Sequence, residues 1–216
     1  MSDTSFPQVL RTLSIYAPLL PLLVGLIRRS KLRFPQYIIG CFALLSIVTE
    51  VIAAFLNRNG QTNAPLYHTF VLVEAVLMYI LFRHLLTSNR HRSISTVLFL
   101  LLIGFALFNG LYFQPFWAEF NTYSIIASNS IILIYCSMFL YEHLVNTSLT
   151  PIYNRPIFIP VIVLMLYSTC TFLVWVWMLL FPDRLSLLIS LMLWNSLFNI
   201  LKYLGFAYFL WKAPKI

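Results

Sequence analysis

Charged residues are scarce in this sequence. Only 9% of its 216 residues are charged, and only six are Asp or Glu, whereas a soluble globular domain carries about 25% charged residues. So few charges cannot cover a water-soluble surface, which excludes a soluble domain as the main architecture. Lys and Arg give a net charge of +8, but no separate basic domain carries it, so we predict no nucleic-acid partner.

The sequence also lacks the short motifs of common catalytic and metal sites. It contains no HExxH motif, no GxSxG motif and no closely spaced pair of carboxylates. Its three cysteines lie apart in apolar stretches, and its histidines do not join acids at one depth as a metal site would require. We therefore predict no catalytic residues and no metal ligands, and a non-enzymatic function is favoured.

Long apolar runs account for nearly the whole chain. We predict membrane spans at residues 9–27, 36–56, 65–86, 94–113, 123–144, 157–181 and 185–211. Each run is long enough for a helix to cross a hydrocarbon core of ~30 Å at ~1.5 Å per residue. A helix is expected because backbone N–H and C=O groups in hydrocarbon must form hydrogen bonds within their own segment. The sequence predicts an all-α, seven-transmembrane helix bundle, with residues 1–216 forming a single transmembrane domain.

The basic residues predict how this bundle is oriented. Ten of the 14 Lys and Arg residues fall on one side of the predicted spans, namely Arg28, Arg29, Lys31, Arg33, Arg83, Arg90, Arg92, Arg155, Lys212 and Lys215. Arg11, Arg58 and Arg184 fall on the other side, and Lys202 lies within the last span. Because cytoplasmic loops are enriched in Lys and Arg, we predict an N-terminus outside and a C-terminus in the cytoplasm.

Two local features modify the predicted spans. Pro18 and Pro21 lie inside the first span and can kink it, because proline removes a backbone donor. The loop at residues 112–120 is rich in aromatic residues. Aromatic side chains favour the membrane interface, so this loop is expected to form an aromatic belt or a re-entrant cap on the outer side.

Charged residues within spans are the main functional candidates, because burying them in lipid is costly. We identify three: Glu50, Glu74 and Lys202. Glu74 and Lys202 differ in depth by only ~4–8 Å at ~1.5 Å per residue, so they can form an ion pair if the third and seventh helices are neighbours. Glu50 lies further out and is expected to face an outward-opening cavity near Tyr67 and His68. The other histidines, at span ends, are assigned to solvated faces.

The last span carries a polar stripe. Asn195, Asn199 and Lys202 follow an i, i+4, i+7 spacing, which places them on one helical face. This face is expected to point into the bundle. The amides can either bind a ligand there or hold neighbouring helices together through hydrogen bonds of ~0.6–2 kcal/mol each.

The placed spans resemble those of an uncharacterised family of short bacterial seven-helix membrane proteins. The resemblance covers essentially the whole chain and depends on Thr49-Glu50, on Asn63-Ala64-Pro65-Leu66-Tyr67-His68 followed by Glu74, and on the Leu-Phe-Asn-Ile-Leu run at 197–201. It implies the same topology and a place in the bacterial cytoplasmic (inner) membrane. It implies no particular activity.

The architecture is also similar to that of microbial rhodopsins. They share seven helices, an acid in the third helix and a lysine in the last, here Glu74 and Lys202. This resemblance implies retinal bound to Lys202. The sequence departs from the rhodopsin pattern at Phe198, where those proteins carry an Asp four residues before the lysine.

Intramembrane polarity without a catalytic motif favours a receptor-like or sensor-like protein. It would bind a small molecule or lipid within the bundle and act through a membrane or cytoplasmic protein partner, since no soluble output domain is present. Three alternatives stay open: a proton-coupled carrier that uses Glu74 and Lys202, a retinal-binding protein, and a structural subunit of a membrane complex.

Overall fold

The computed structural model describes residues 6–145, 156–181 and 184–212. The α-helices among them are α1 (Phe6–Tyr16), α2 (Leu19–Ile27), α3 (Phe34–Arg58), α4 (Ala64–Leu85), α5 (Asn89–Phe108), α6 (Thr122–Val145), α7 (Phe158–Leu180) and α8 (Leu185–Trp211). A 3₁₀ turn (Arg29–Lys31) follows α2, and a π-helical turn (Asn109–Phe113) continues α5. Two cations used to predict the orientation, Arg155 and Lys215, lie outside the described residues.

Within the described residues, six helical segments are long and apolar enough to cross a membrane. One combines α1 with α2 (Pro7–Ile27), one combines α5 with its π-helical turn (Asn89–Phe113), and the others are α3, α4, α6 and α7. Their outer faces expose large apolar side chains, for example Leu23, Val51 and Leu100. Such a surface is stable in lipid rather than in water. The all-α fold and the membrane environment expected from the sequence are confirmed.

The apolar core lies in the half of the bundle that adjoins the basic loops. It is formed by the first halves of α3 and α7 and by the second halves of α4, α6 and α8. Its aromatic rings interlock, with centroids 6.0 Å apart for Phe42 and Phe206 and 5.4 Å apart for Phe82 and Tyr135, within the range of favourable ring pairs. Most of the buried polar side chains lie in the opposite half.

The first span is broken at a proline, as the sequence predicted. α1 and α2 are separated by Ala17 and Pro18. Pro18 has no N–H to donate to the carbonyl of Ser14, four residues earlier. That carbonyl instead accepts a hydrogen bond from Nδ2 of Asn199 at 3.2 Å, and the Ser14 hydroxyl accepts from the same nitrogen at 2.9 Å. A hydrogen bond between α1 and α8 therefore replaces the missing bond within the helix.

α7 and α8 approach each other closely at Gly205. A Cβ atom built on Gly205 would lie 2.5 Å from Cγ2 of Val163, well inside van der Waals contact. Small residues are the usual means by which membrane helices come this close. Gly205 thus sets the separation of the two helices just beyond Lys202.

We expect Gly205→Ala to lower the thermal midpoint of the detergent-solubilised protein, because the added methyl group overpacks the contact at a cost of about 1–3 kcal/mol. Gly104→Ala is the matched control: a Cβ there meets nothing within 4 Å, and Ala favours the helix. Equal midpoints for the two variants would show that α7 and α8 separate easily at Gly205.

Candidate functional site

A polar cavity of about 180 Å³ lies in the half of the bundle away from the basic loops. Six of the seven predicted site residues line it, namely Glu50, Tyr67, Glu74, Asn195, Asn199 and Lys202. They come from α3, α4 and α8, so the fold brings together residues that are far apart in the chain. Since a cavity of ~150 Å³ can hold benzene, this one has room for a small molecule.

Lys202 lies in a cage of aromatic rings at the inner end of the cavity. Its ammonium nitrogen is 3.5 Å from the ring centroid of Tyr167, 4.5 Å from that of Tyr203 and 5.3 Å from that of Phe42. The side chain is only 2% exposed. A desolvated ammonium over such rings gains ~2 kcal/mol or more, so the cage stabilises a buried positive charge.

Two carboxylates share the cavity with Lys202. Glu74 is buried and accepts a hydrogen bond from Oγ of Ser128 at 3.4 Å, whereas Glu50 is half-buried. Lys202 interacts electrostatically with both acids, yet in the described part of the chain no carboxylate oxygen lies within 4.0 Å of its ammonium nitrogen. The direct Glu74–Lys202 ion pair suggested by their depths is therefore not formed, and the three groups face a common space.

The polar stripe of α8 faces the cavity, and its two amides hold the cavity wall together. Asn195 accepts a hydrogen bond from Oγ1 of Thr171 on α7 at 2.7 Å. One turn later, Asn199 donates to Ser14 on α1. The two amides therefore fasten α8 to its neighbours, as the second alternative for this stripe predicts, and ligand binding by the stripe stays a prediction.

An aromatic cap covers the end of the cavity furthest from Lys202. The ring of Phe120 lies 4.9 Å from that of Tyr67 and stacks on Trp175 at 5.1 Å, and all three residues line the cavity. Nδ2 of Asn109 fixes the loop that carries Phe120, since it donates to Oδ1 of Asn121 and Oγ of Ser124 at 3.0 Å each. The aromatic loop predicted from the sequence therefore forms a cap over the site.

His68, the seventh predicted site residue, does not line the cavity. Its ring packs on Phe116 at a centroid distance of 5.0 Å, and its Nε2 lies 3.2 Å from the carbonyl oxygen of Glu119, to which it donates. Neighbouring residues on a helix point about 100° apart at 3.6 residues per turn. Tyr67 therefore faces the cavity, and His68 instead supports the loop that carries the aromatic cap.

A second buried polar cluster centres on Glu142, near the end of α6. Its carboxylate accepts hydrogen bonds from the backbone N–H groups of Thr87 and Ser88 at 2.7 and 3.0 Å and from the Thr87 hydroxyl at 2.8 Å. It also lies 2.6 Å from Nδ1 of His91. The count of three charged residues within spans was therefore incomplete, and His91 packs on a buried acid rather than on a solvated face.

Sequence reasoning identified neither Glu142 nor the aromatic cage. Glu142 lies inside the predicted fifth span, so an acid within an apolar run was the available signal. The cage offered little signal, because aromatic residues make up 17% of the chain. Tyr203 follows Lys202 directly, but nothing in the sequence sets Tyr167 apart from the other tyrosines.

Comparison with protein-family models, curated proteins and solved structures gives no match to this chain. No group of three or more His, Cys, Asp or Glu side chains suited to a metal ion occurs within residues 6–145, 156–181 and 184–212. The cavity does combine one ammonium, two carboxylates and several rings, which suits a small polar molecule with a charged group.

Proposed function

We propose that this protein is a receptor or sensor that binds a small polar molecule in the cavity and signals through a membrane or cytoplasmic protein partner. The observation that supports it is the convergence of Glu50, Glu74 and Lys202 on one small space. Buried charges within a membrane are costly and mark functional sites. Three of them around a cavity provide specific recognition of a charged ligand.

The proposal includes seven spans, an outer N-terminus and a cytoplasmic C-terminus. α8 supports the seventh span, since it is 27 residues long and exposes Leu201, Leu204 and Trp211 on its outer face. With the basic loops in the cytoplasm, the cavity lies in the outer half of the membrane. We place the protein in the bacterial cytoplasmic membrane and propose membership of the short seven-helix family that it resembles.

A small organic ammonium is the ligand class that fits best. Two carboxylates face the cavity against one ammonium, and Lys202 is already held by its own cage. Glu50, which also interacts electrostatically with Arg11, and the capping rings of Tyr67 and Phe120 would receive the cation, which carboxylates and aromatic faces both attract. The volume of about 180 Å³ is below the ~300 Å³ at which ligand pockets usually begin, which disfavours retinal on Lys202 and a whole lipid.

Calorimetric titration of the purified protein with ethanolamine, choline and acetate tests this proposal. We expect ethanolamine or choline to bind, acetate not to bind, and Glu50→Gln to weaken binding about tenfold or more, because the cation loses its attraction to a carboxylate. Glu119→Gln is the control, since Glu119 is exposed and does not line the cavity. If none of the three probes binds, the better hypothesis is that the protein is a structural subunit of a membrane complex. Stable co-purification with a partner chain would support that hypothesis.

A proton-coupled carrier is the second candidate, favoured by the three ionisable groups that face one cavity. The same protein in liposomes separates the two functions. A receptor leaves the bound ammonium probe outside, whereas a carrier moves it inward in a way that depends on the ion gradient. If the wild-type protein carries such a flux and Glu74→Gln abolishes it, the protein is a carrier and not a receptor.

A further inference from the structure

A second and larger cavity lies at the basic end of the bundle, on the other side of the apolar core. Its volume is about 720 Å³, within the ~300–1,000 Å³ of typical small-molecule sites. Its wall is formed by the ends of α4, α6 and α8 and by the starts of α3 and α7. The proposed receptor site does not include it.

Basic side chains line this cavity. Arg33, His84, His143 and Lys212 all belong to its wall, and they come from four separate helix ends. No Asp or Glu is among its lining residues in the described parts of the chain. Glu142 lies behind the wall, but its carboxylate faces Thr87, Ser88 and His91 and is occupied by their donors. The cavity therefore presents positive charge to any occupant.

Neighbouring contacts hold the wall in place. The Arg33 N–H donates to Oε1 of Gln36, and Nε2 of Gln36 donates to the carbonyl of Phe209, both at 2.8 Å, which joins the start of α3 to the end of α8. Nδ1 of His143 donates to the carbonyl of Phe139 at 2.9 Å. His84 packs on Phe34 with a centroid distance of 5.1 Å. These contacts fix the backbone at Arg33 and the positions of the two imidazoles, while the exposed side chains of Arg33 and Lys212 extend from the rim of the cavity.

We propose that this cavity binds a phosphate-bearing group, supplied either by an anionic phospholipid or by a soluble phosphate ester. The Arg33 guanidinium offers a fork of donors that matches phosphate oxygens, and Lys212 adds a point charge. The apolar wall at Phe34, Leu85 and Ile157 suits the carbon skeleton that carries the phosphate. Basic pockets between helices near an anionic leaflet bind such head groups.

Native mass spectrometry of the full chain tests the proposal, with phosphatidylglycerol, phosphatidylcholine and sn-glycerol 3-phosphate as probes. We expect Arg33→Gln/Lys212→Gln to weaken binding of the anionic probe, phosphatidylglycerol or sn-glycerol 3-phosphate, about 30-fold, because two cations near an anionic group are lost. Arg29→Gln/Arg90→Gln is the charge-matched control, since both arginines are exposed at the same end and neither lines the cavity. Arg33→Gln alone, with Arg29→Gln as its control, tests the same contact if the double variant does not fold.

The probes distinguish the two sources of phosphate. Selective retention of phosphatidylglycerol over phosphatidylcholine assigns the site to a lipid, whereas binding of sn-glycerol 3-phosphate that displaces the lipid assigns it to a soluble ester. Equal loss of binding in the cavity variant and in its control would overturn the proposal, because bulk charge alone would then explain the affinity. Failure of the wild-type protein to bind either anionic probe, phosphatidylglycerol or sn-glycerol 3-phosphate, more tightly than zwitterionic phosphatidylcholine would also overturn it. Ammonium binding in the other cavity is measured separately, so each proposal can fail alone.

Discussion

Replacing Lys202 by Met should lower the thermal midpoint of the detergent-solubilised protein by about 5–10 °C, corresponding to about 2–3 kcal/mol for a chain of this size. Met keeps the length of the side chain and its packing against the rings of Tyr167 and Tyr203. The loss is therefore electrostatic: the cation–π attraction disappears, and Glu74 loses the positive charge that shares its cavity. Arg58→Met, which removes an exposed cation at the end of α3, should change the midpoint little.

A double-mutant cycle identifies the origin of this loss. If Lys202 offsets the charge of Glu74, then Glu74→Gln/Lys202→Met should be more stable than the sum of the two single variants predicts, by about 1 kcal/mol or more. Neutralising both partners means that neither Glu74 nor Lys202 remains as a buried charge that has lost its partner. Strictly additive effects would mean that the aromatic cage alone accounts for the burial of Lys202.

The lengths of the apolar runs were sufficient to predict the helices, because hydrocarbon allows few other structures for such segments. The start of α5 was not predictable in this way. It was predicted at residue 94, but α5 begins at Asn89, since Glu142 accepts hydrogen bonds from Thr87 and Ser88 just before it. Hydropathy cannot detect a polar first turn that is held by a carboxylate from another helix.

The candidate site was predictable where it depends on one helix and unpredictable where it depends on several. Helical periodicity alone placed Asn195, Asn199 and Lys202 on one face. The rotation of α4, which turns Glu74 into the cavity and His68 away from it, is set by packing against α3, α5 and α6. The packing of α7 against α8 places Tyr167 under Lys202, and the spacing of these residues along the chain does not predict that contact.

Glu142→Gln is expected to have the largest effect on stability of any single change considered. Four donors converge on this carboxylate at 2.6–3.0 Å, and hydrogen bonds to a buried charged group contribute about 1.5–3 kcal/mol each. Gln keeps one acceptor but turns an NH₂ group toward the remaining donors. Because the four bonds act as a unit, we expect a net loss of about 3–4 kcal/mol and a midpoint about 10 °C lower.

Glu119→Gln provides the matched control, because that carboxylate is exposed. His91→Gln separates the parts of the cluster: it removes one donor and leaves the two backbone N–H bonds intact, so its effect should be less than half that of Glu142→Gln. Hydrogen exchange should show that the stability loss arises at the carboxylate: the Thr87 and Ser88 amides should exchange faster in Glu142→Gln than in His91→Gln. If the two variants were equally destabilised, the imidazole contact would be the essential one. The carboxylate's bonds to the loop between α4 and α5 would then be secondary.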